Sequence, residues 1–260
     1  MDIRLAQSQD DLFVYHDMIY MGKSYMDILE ICSKFLGEHS SETILMSIQE
    51  ESRIDSSLGR FAPSEILGKL SRGDSTNSDR NTRSFEDALK ARTREHVEDS
   101  PLFYNFATGH PDSHSPATTH EFTSQATLGD VRGKIILLRR FEGSDDAGLD
   151  LTYWPENQTF RSASLPVHDV HDRHFGITEE DKYKLVIAHV EEARRGDPKD
   201  LYITFTSAVD LKARGYAKTI NPRLNDYLAR SPRGRVGIIA MDYFEKPREL
   251  VSNIIKMNSE

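Results

Sequence analysis

Four short apolar runs separated by helical patterns constrain this chain more than any other feature. Glu42–Ile48 (ETILMSI), Gly133–Arg140 (GKIILLRR), Leu201–Thr206 (LYITFT) and Arg235–Tyr243 (RVGIIAMDY) have the length of strands and lack polar alternation. A strand that is apolar throughout is one buried on both faces, as in a parallel sheet covered by helices. The segments between them supply those helices. Ser24-Tyr25-Met26-Asp27 is a capping-box signature for a helix reaching Glu38, with Met26, Leu29, Cys32, Phe35 and Leu36 on one face. Thr178-Glu179-Glu180-Asp181 opens a second helix that runs to Arg195 and stops at Gly196. Asn221-Pro222 offers an N-cap and an N1 proline for a third helix through Leu228, and Arg248 to Met257 closes the chain. At the start, Met1–Leu5 and Leu12–His16 read as strands around a polar turn, Gln7 to Asp11. The class expected is α/β, a parallel sheet buried on both faces by helices.

One stretch breaks the pattern. Between residues 53 and 125, Phe61–Leu70 and Phe85–Val97 are short helical candidates, while Ser71–Ser84 and Gly109–His120 are polar loops. The expected organisation is one domain over 1–260 with a 53–125 insertion carrying flexible loops. At 260 residues and 37% hydrophobic content the chain can bury a sizeable core. A net charge of -9 argues against bulk nucleic-acid binding and against a polybasic membrane anchor. The single cysteine, Cys32, excludes an intramolecular disulfide framework and reads as a buried thiol. No apolar run reaches the roughly 18 residues of a spanning helix, and no secretory signal follows Met1.

His16, Arg140 and Asp242 fall at the C-terminal ends of expected strands, the face on which β/α barrels build active sites. Cleaving a phosphodiester without a metal needs a base, an acid and fixed positive charge for the phosphorane oxygens. Arg4 offers the charge through its guanidinium fork, His16 the acid, and Asp242 a carboxylate to orient a base imidazole. Each has a plainer alternative: an ion-pair partner, a hydrogen-bonded strand-end histidine, a turn cap. His168, His171 and His174 with Asp169 and Asp172, and the scattered His110, His114 and His120, read as exposed loop histidines rather than a metal site.

Several segments, taken in order, resemble one family. They are Asp2-Ile3-Arg4, Val14-Tyr15-His16, Ser41 to Ser47, Leu128 to Lys134, Tyr153-Trp154-Pro155-Glu156-Asn157, Asp181-Lys182-Tyr183-Lys184, Ile220-Asn221-Pro222 and Val236 to Tyr243. Together they resemble the bacterial-type phosphatidylinositol-specific phospholipases C, the X-domain phosphodiesterases, over nearly everything except the insertion. The resemblance implies attack of the inositol 2-hydroxyl on phosphorus, release of diacylglycerol, and a cyclic inositol phosphate that is then slowly hydrolysed. It implies His16 as general acid, Arg4 as phosphate-binding arginine and Asp242 as partner of the general base. Arg140, Asp181 and Tyr183 match residues that hold the inositol ring.

Two departures accompany the match. The family's base is a histidine followed by an acidic residue, on a strand preceding the Asp-Ile-Arg strand, and this sequence starts at Met1. The resemblance implies an α/β fold, a distorted (β/α) TIM-type barrel, which is therefore expected to be incomplete at its N-terminus. Gln49 stands where the bacterial enzymes carry an inositol-facing lysine. The function expected is metal-free phosphodiester cleavage of phosphatidylinositol-type lipids at a membrane surface, by a monomer with no cofactor. The alternatives are an inactive headgroup-binding module and a metal-dependent glycerophosphodiester or sphingolipid phosphodiesterase. Members of the family are often secreted or associated with membrane surfaces.

Overall fold

The computed structural model describes residues 1–16, 19–51, 81–96, 102–104, 126–144, 148–155, 157–162, 165–171, 176–208 and 213–258. The expected Phe61–Leu70 helix, the Gly109–His120 loop, most of the Ser71–Ser84 loop, and His110, His114, His120 and His174 lie outside them. The chain divides into two compact units, one ending at Tyr153 and the other starting at Trp154.

The first unit holds a six-stranded sheet in the order β3-β2-β1-β4-β5-β6. Its strands are β1 (Asp2–Ser8), β2 (Asp11–His16), β3 (Ile19–Ser24), β4 (Ile44–Glu50), β5 (Ile135–Arg140) and β6 (Leu149–Asp150). β1, β4, β5 and β6 are parallel, while β1-β2-β3 is an antiparallel meander. The sheet is therefore mixed where the apolar runs predicted a parallel one. The physical reason is the first turn. Gln9 and Asp10 both have positive φ (52° and 61°), the two-residue hairpin geometry whose twist matches antiparallel strands. The turn is thus two residues, shorter than the expected Gln7–Asp11, and the Asp10 carboxylate is fixed by the backbone N–H groups of Thr82 and Arg83 at 2.8 and 3.0 Å.

Helix α1 (Tyr25–Glu38) starts where expected: Ser24 accepts from the Asp27 N–H and the Asp27 carboxylate accepts from the Ser24 N–H at 2.7 Å. Its buried stripe is Tyr25, Leu29, Cys32 and Leu36, whereas Phe35 is exposed. It packs with α2 (Phe85–His96) and with Ile3, Leu5, Met46, Ile48, Ile135 and Leu137, which share one face of β1, β4 and β5, into a single core cluster. Each such side chain contributes about 1.5–3 kcal/mol of burial. A one-turn helix, α3 (Leu128–Val131), precedes β5.

The second unit carries a four-stranded sheet, β10-β9-β8-β7. β7 (Thr159–Ser162) and β8 (Leu165–His168) form an antiparallel pair, and β9 (Ile203–Phe205) and β10 (Ile238–Ala240) continue in parallel. β10 is shorter than the expected Arg235–Tyr243. Gly237 has φ +72°, and a Cβ there would stand 2.8 Å from the Tyr202 carbonyl, so the close approach of these strands needs glycine. The helices are α4 (Glu179–Arg195), α5 (Ala213–Arg230) and α6 (Glu249–Lys256), with Val190, Leu224, Leu228, Val236, Leu250 and Met257 forming one core cluster.

α5 corrects the expectation at Asn221-Pro222. These residues lie inside one 18-residue helix rather than at its start. An interior proline costs about 3 kcal/mol. Burying Tyr216, Ala217, Ile220, Leu224 and Leu228 along one stripe outweighs that cost.

Candidate active site

In the first unit the parallel register sets Arg4 beside Gln49 and Gln49 beside Arg140, one row across β1, β4 and β5. Strand alternation puts this row on the face opposite the helices, because the flanking Ile3, Ile48 and Leu137 enter the core cluster. Asp2 and Ser47 share that face two residues earlier. The row is held by ion pairs at its edges. Arg4 Nη1 lies 3.3 Å from Glu51 Oε1, and Arg140 Nη1 lies 3.6 Å from Asp2 Oδ1. Between them, Ser47 Oγ and Gln49 Oε1 are buried with no hydrogen-bond partner among the described residues. Leaving such groups unpaired costs about 1–3 kcal/mol each. A face that presents guanidinium groups flanking unpaired oxygens is suited to an anion bearing hydroxyl groups.

Of the two arginines that end β5, only Arg140 joins this face. Arg139 points the other way and is 2% exposed, donating to the Phe141 carbonyl at 2.8 Å and Thr152 Oγ1 at 3.0 Å. It also pairs with Asp150 at 3.3 Å. His16 is the last residue of β2 and is exposed. Because β2 runs antiparallel to β1, its C-terminal end lies at the start of β1, and extending the Leu5–Val14 register sets Tyr15 beside Arg4 with His16 next along. The hairpin, not parallel strand ends, brings His16 near Arg4 along the sheet, and alternation sets it opposite Ile3 at the strand end rather than in the Arg4 row.

In the second unit Asp242 follows β10 and is part-buried. Asp181 and Tyr183 are engaged locally. The Asp181 N–H donates to Thr178 Oγ1 at 3.1 Å, and Thr178 Oγ1 donates to the Asp181 carboxylate at 2.6 Å. The Asp181 side chain stays more than half exposed, and the Tyr183 ring is covered by the Arg223 guanidinium at 3.8 Å. The segment that the resemblance gives to the inositol ring is therefore the first turn of α4, capped by Thr178.

Near the end of β8, Asp169 and His171, expected in an exposed loop, are largely buried side chains, and Lys182 of α4 joins them. Asp169 accepts from Trp154 Nε1 at 2.8 Å and lies 3.4 Å from His171 Nδ1. The carboxylate holds the His171 imidazolium above the usual histidine range, while hydrogen bonds from His171 and Trp154 outweigh burial and hold Asp169 below the usual carboxylate range. Lys182 is fully buried and donates to the Val170 carbonyl. Burial lowers its pKa to about 8, against the opposing pull of Asp169 and Asp242. Its signal was present in the sequence: Lys182 heads the stripe Val186, His189, Val190, Ala193, and only its residue type argued for exposure.

The expectation of exposed loop histidines is corrected for His168. It ends β8 at 1% exposure, hydrogen-bonded to Thr159 Oγ1 at 2.8 Å, and burial pushes it down to about 3. His189 on α4 is bonded to Thr204 Oγ1 at 2.8 Å and pushed down to about 4 for the same reason.

No family model matches the chain. Among curated proteins, the 1-phosphatidylinositol phosphodiesterase of Staphylococcus aureus (strain Newman) is 23% identical over 282 residues, covering 99% of this chain and 76% of the relative. That of Listeria monocytogenes serovar 1/2a is 25% identical over 263 residues, covering 99% and 67%. The phosphatidylinositol-specific phospholipase C of S. aureus superposes with a TM-score of 0.74 at 22% identity, covering 100% of this chain and 79% of that structure. This chain has the fold of the bacterial phosphatidylinositol-specific phospholipases C. The Listeria phosphatidylinositol-specific phospholipase C agrees, with a TM-score of 0.66 over 100% of this chain. The mixed α/β class is thus that of these phospholipases C, a TIM-like barrel fold, and the match spans both units.

Proposed function

We propose that this protein is a phosphoric diester lyase and hydrolase that cleaves phosphatidylinositol-type lipids to diacylglycerol and a cyclic inositol phosphate. The observation that carries the proposal is the Arg4–Gln49–Arg140 row, in a chain whose curated relatives are named as 1-phosphatidylinositol phosphodiesterases. The inositol 2-hydroxyl attacks phosphorus as a base removes its proton, and the bond from phosphorus to the diacylglycerol oxygen breaks. His16 protonates the departing alkoxide. Arg4, tethered by Glu51 yet about a third exposed, neutralises the phosphorane oxygens with its fork. That fixed cation is the reason to assign charge stabilisation to the protein. Asp242 offers a carboxylate to orient the base imidazole, a group that neither His168 nor His189 supplies, since they are bonded to Thr159 and Thr204. Gln49 Oε1 accepts a hydrogen bond from a ring hydroxyl, and its neutrality favours an uncharged inositol over a ring bearing further phosphates.

One observation favours a second reading, a headgroup-binding module without turnover. His168 and His189 are buried, tied to Thr159 and Thr204, and held neutral, which leaves neither as a base for Asp242. Diacylglycerol release from phosphatidylinositol vesicles separates the two. The enzyme releases it and His16→Ala does not, whereas binding of phosphatidylinositol vesicles with no release by the unaltered chain supports the module.

A further inference from the structure

The middle of α5 holds a fully buried asparagine whose role is not helical. Asn221 Nδ2 donates to the carbonyls of Asp242, Tyr243 and Lys246 at 2.9, 3.3 and 3.2 Å. One amide thus gathers three carbonyls of the single loop that leaves β10. The loop closes on itself as well, with the Lys246 N–H donating to the Tyr243 carbonyl at 2.9 Å. Tyr243 takes φ +51°, a backbone conformation that a tyrosine adopts only when its surroundings enforce it. The asparagine is costly where it stands. Its Oδ1 is buried with no partner among the described residues. A leucine, with the same branched skeleton, would continue the apolar stripe between Ile220 and Leu224 without orphaning an oxygen. The polar choice is therefore explained by the loop and not by the packing of the helix.

We infer that Asn221 is a positioning residue: by clamping the carbonyls of Asp242, Tyr243 and Lys246 it sets where the Asp242 carboxylate stands beyond β10. The inference rests on the assignment of Asp242 under Proposed function. Asn221 touches no reacting atom and acts only through the backbone it holds. Pro222, the next residue, removes a backbone N–H from the same turn of the helix.

The test combines hydrogen exchange with a double-mutant cycle on the full chain. In Asn221→Leu the amides of Tyr243 to Lys246 exchange faster than in the unaltered protein, while those of β9 and of the rest of α5 keep their protection. Turnover of phosphatidylinositol falls about tenfold in kcat with KM within about twofold, the signature of a misplaced group rather than lost binding. Added to Asp242→Asn, the change costs nothing further, because both act through one carboxylate. Asn221→Ser, which keeps one donor in a smaller side chain, gives intermediate exchange and kcat, and stands in should the leucine variant not fold. Unchanged exchange at Tyr243 to Lys246 overturns the inference, as does a full additional loss in the Asp242→Asn background. An Asp242→Asn variant with full turnover is a different failure, since it removes the assigned role of Asp242 whatever the loop does.

Discussion

Arg4 and Arg139 are both strand arginines with acidic neighbours, yet they do opposite work, and alternation decides which does what. Arg4 faces away from the helices with its guanidinium partly open and one ion pair to Glu51 at 3.3 Å. Arg139 is sealed and bonded to Phe141, Thr152 and Asp150. Arg4→Lys is expected to lower kcat by about a hundredfold or more, because a point charge cannot reproduce the bidentate fork. Its unfolding free energy should change by less than about 1 kcal/mol, since a partly exposed pair contributes little. Arg139→Met should do the reverse, costing about 1–3 kcal/mol through the lost buried hydrogen bonds to the Phe141 carbonyl and Thr152. Urea unfolding beside steady-state kinetics reads both. Asp181 belongs at the same scale. Asp181→Asn should cost about 0.3–1 kcal/mol of stability, by removing a negative charge from the first turn of α4, and leave KM within about twofold. A large rise in KM would return Asp181 to the inositol ring. The capping signature at Thr178–Asp181 was legible in the sequence, while the burial of Lys182 was not, because periodicity placed it inside and residue type placed it outside.

Elements built from apolar runs or cap signals were readable, and those held by pairing alone were not. β4, β5, β9, α1, α2 and α4 all lie where their patterns put them, whereas β3, β6, β7 and β8 were missed. β7 is Thr-Phe-Arg-Ser and β6 is two residues long; such strands exist because a neighbour's ladder accepts them, which no local pattern encodes. β8 ends on His168, and together with His189 it predicts an acid-labile second unit. Both histidines have folded pKa values depressed to about 3 and about 4 by burial. An unfolded histidine titrates near about 6.5, so below that pH the unfolded chain binds more protons than the folded one. Stability therefore falls as pH drops from about 6.5 towards 4, by about 1.4 kcal/mol per pH unit for each histidine. His171 has a raised pKa, so its contribution is full below about 6.5 and is lost only as pH rises through the folded value. It does not offset the acid limb. Denaturant midpoints at pH 7 and pH 5 should separate by an amount that shrinks in His168→Gln and His189→Gln. Equal midpoints in the unaltered chain would contradict the burial account.

At the scale of the whole chain, apolar runs alternating with helical patterns pointed to the α/β class, but the candidate site came from register. Arg4, Gln49 and Arg140 are 45 and 91 residues apart along the sequence, and only parallel pairing of β1, β4 and β5 makes them neighbours. No helix among the described residues is long and apolar enough to cross a membrane. The most direct test of the catalytic proposal is the release of diacylglycerol and cyclic inositol phosphate from phosphatidylinositol vesicles by the 260-residue chain, in excess chelator, beside Arg4→Ala and His16→Ala. The proposal predicts release by the unaltered chain that survives chelation, and a loss of at least about a hundredfold in each variant. Release that disappears with chelator, or that persists in Arg4→Ala, would contradict it.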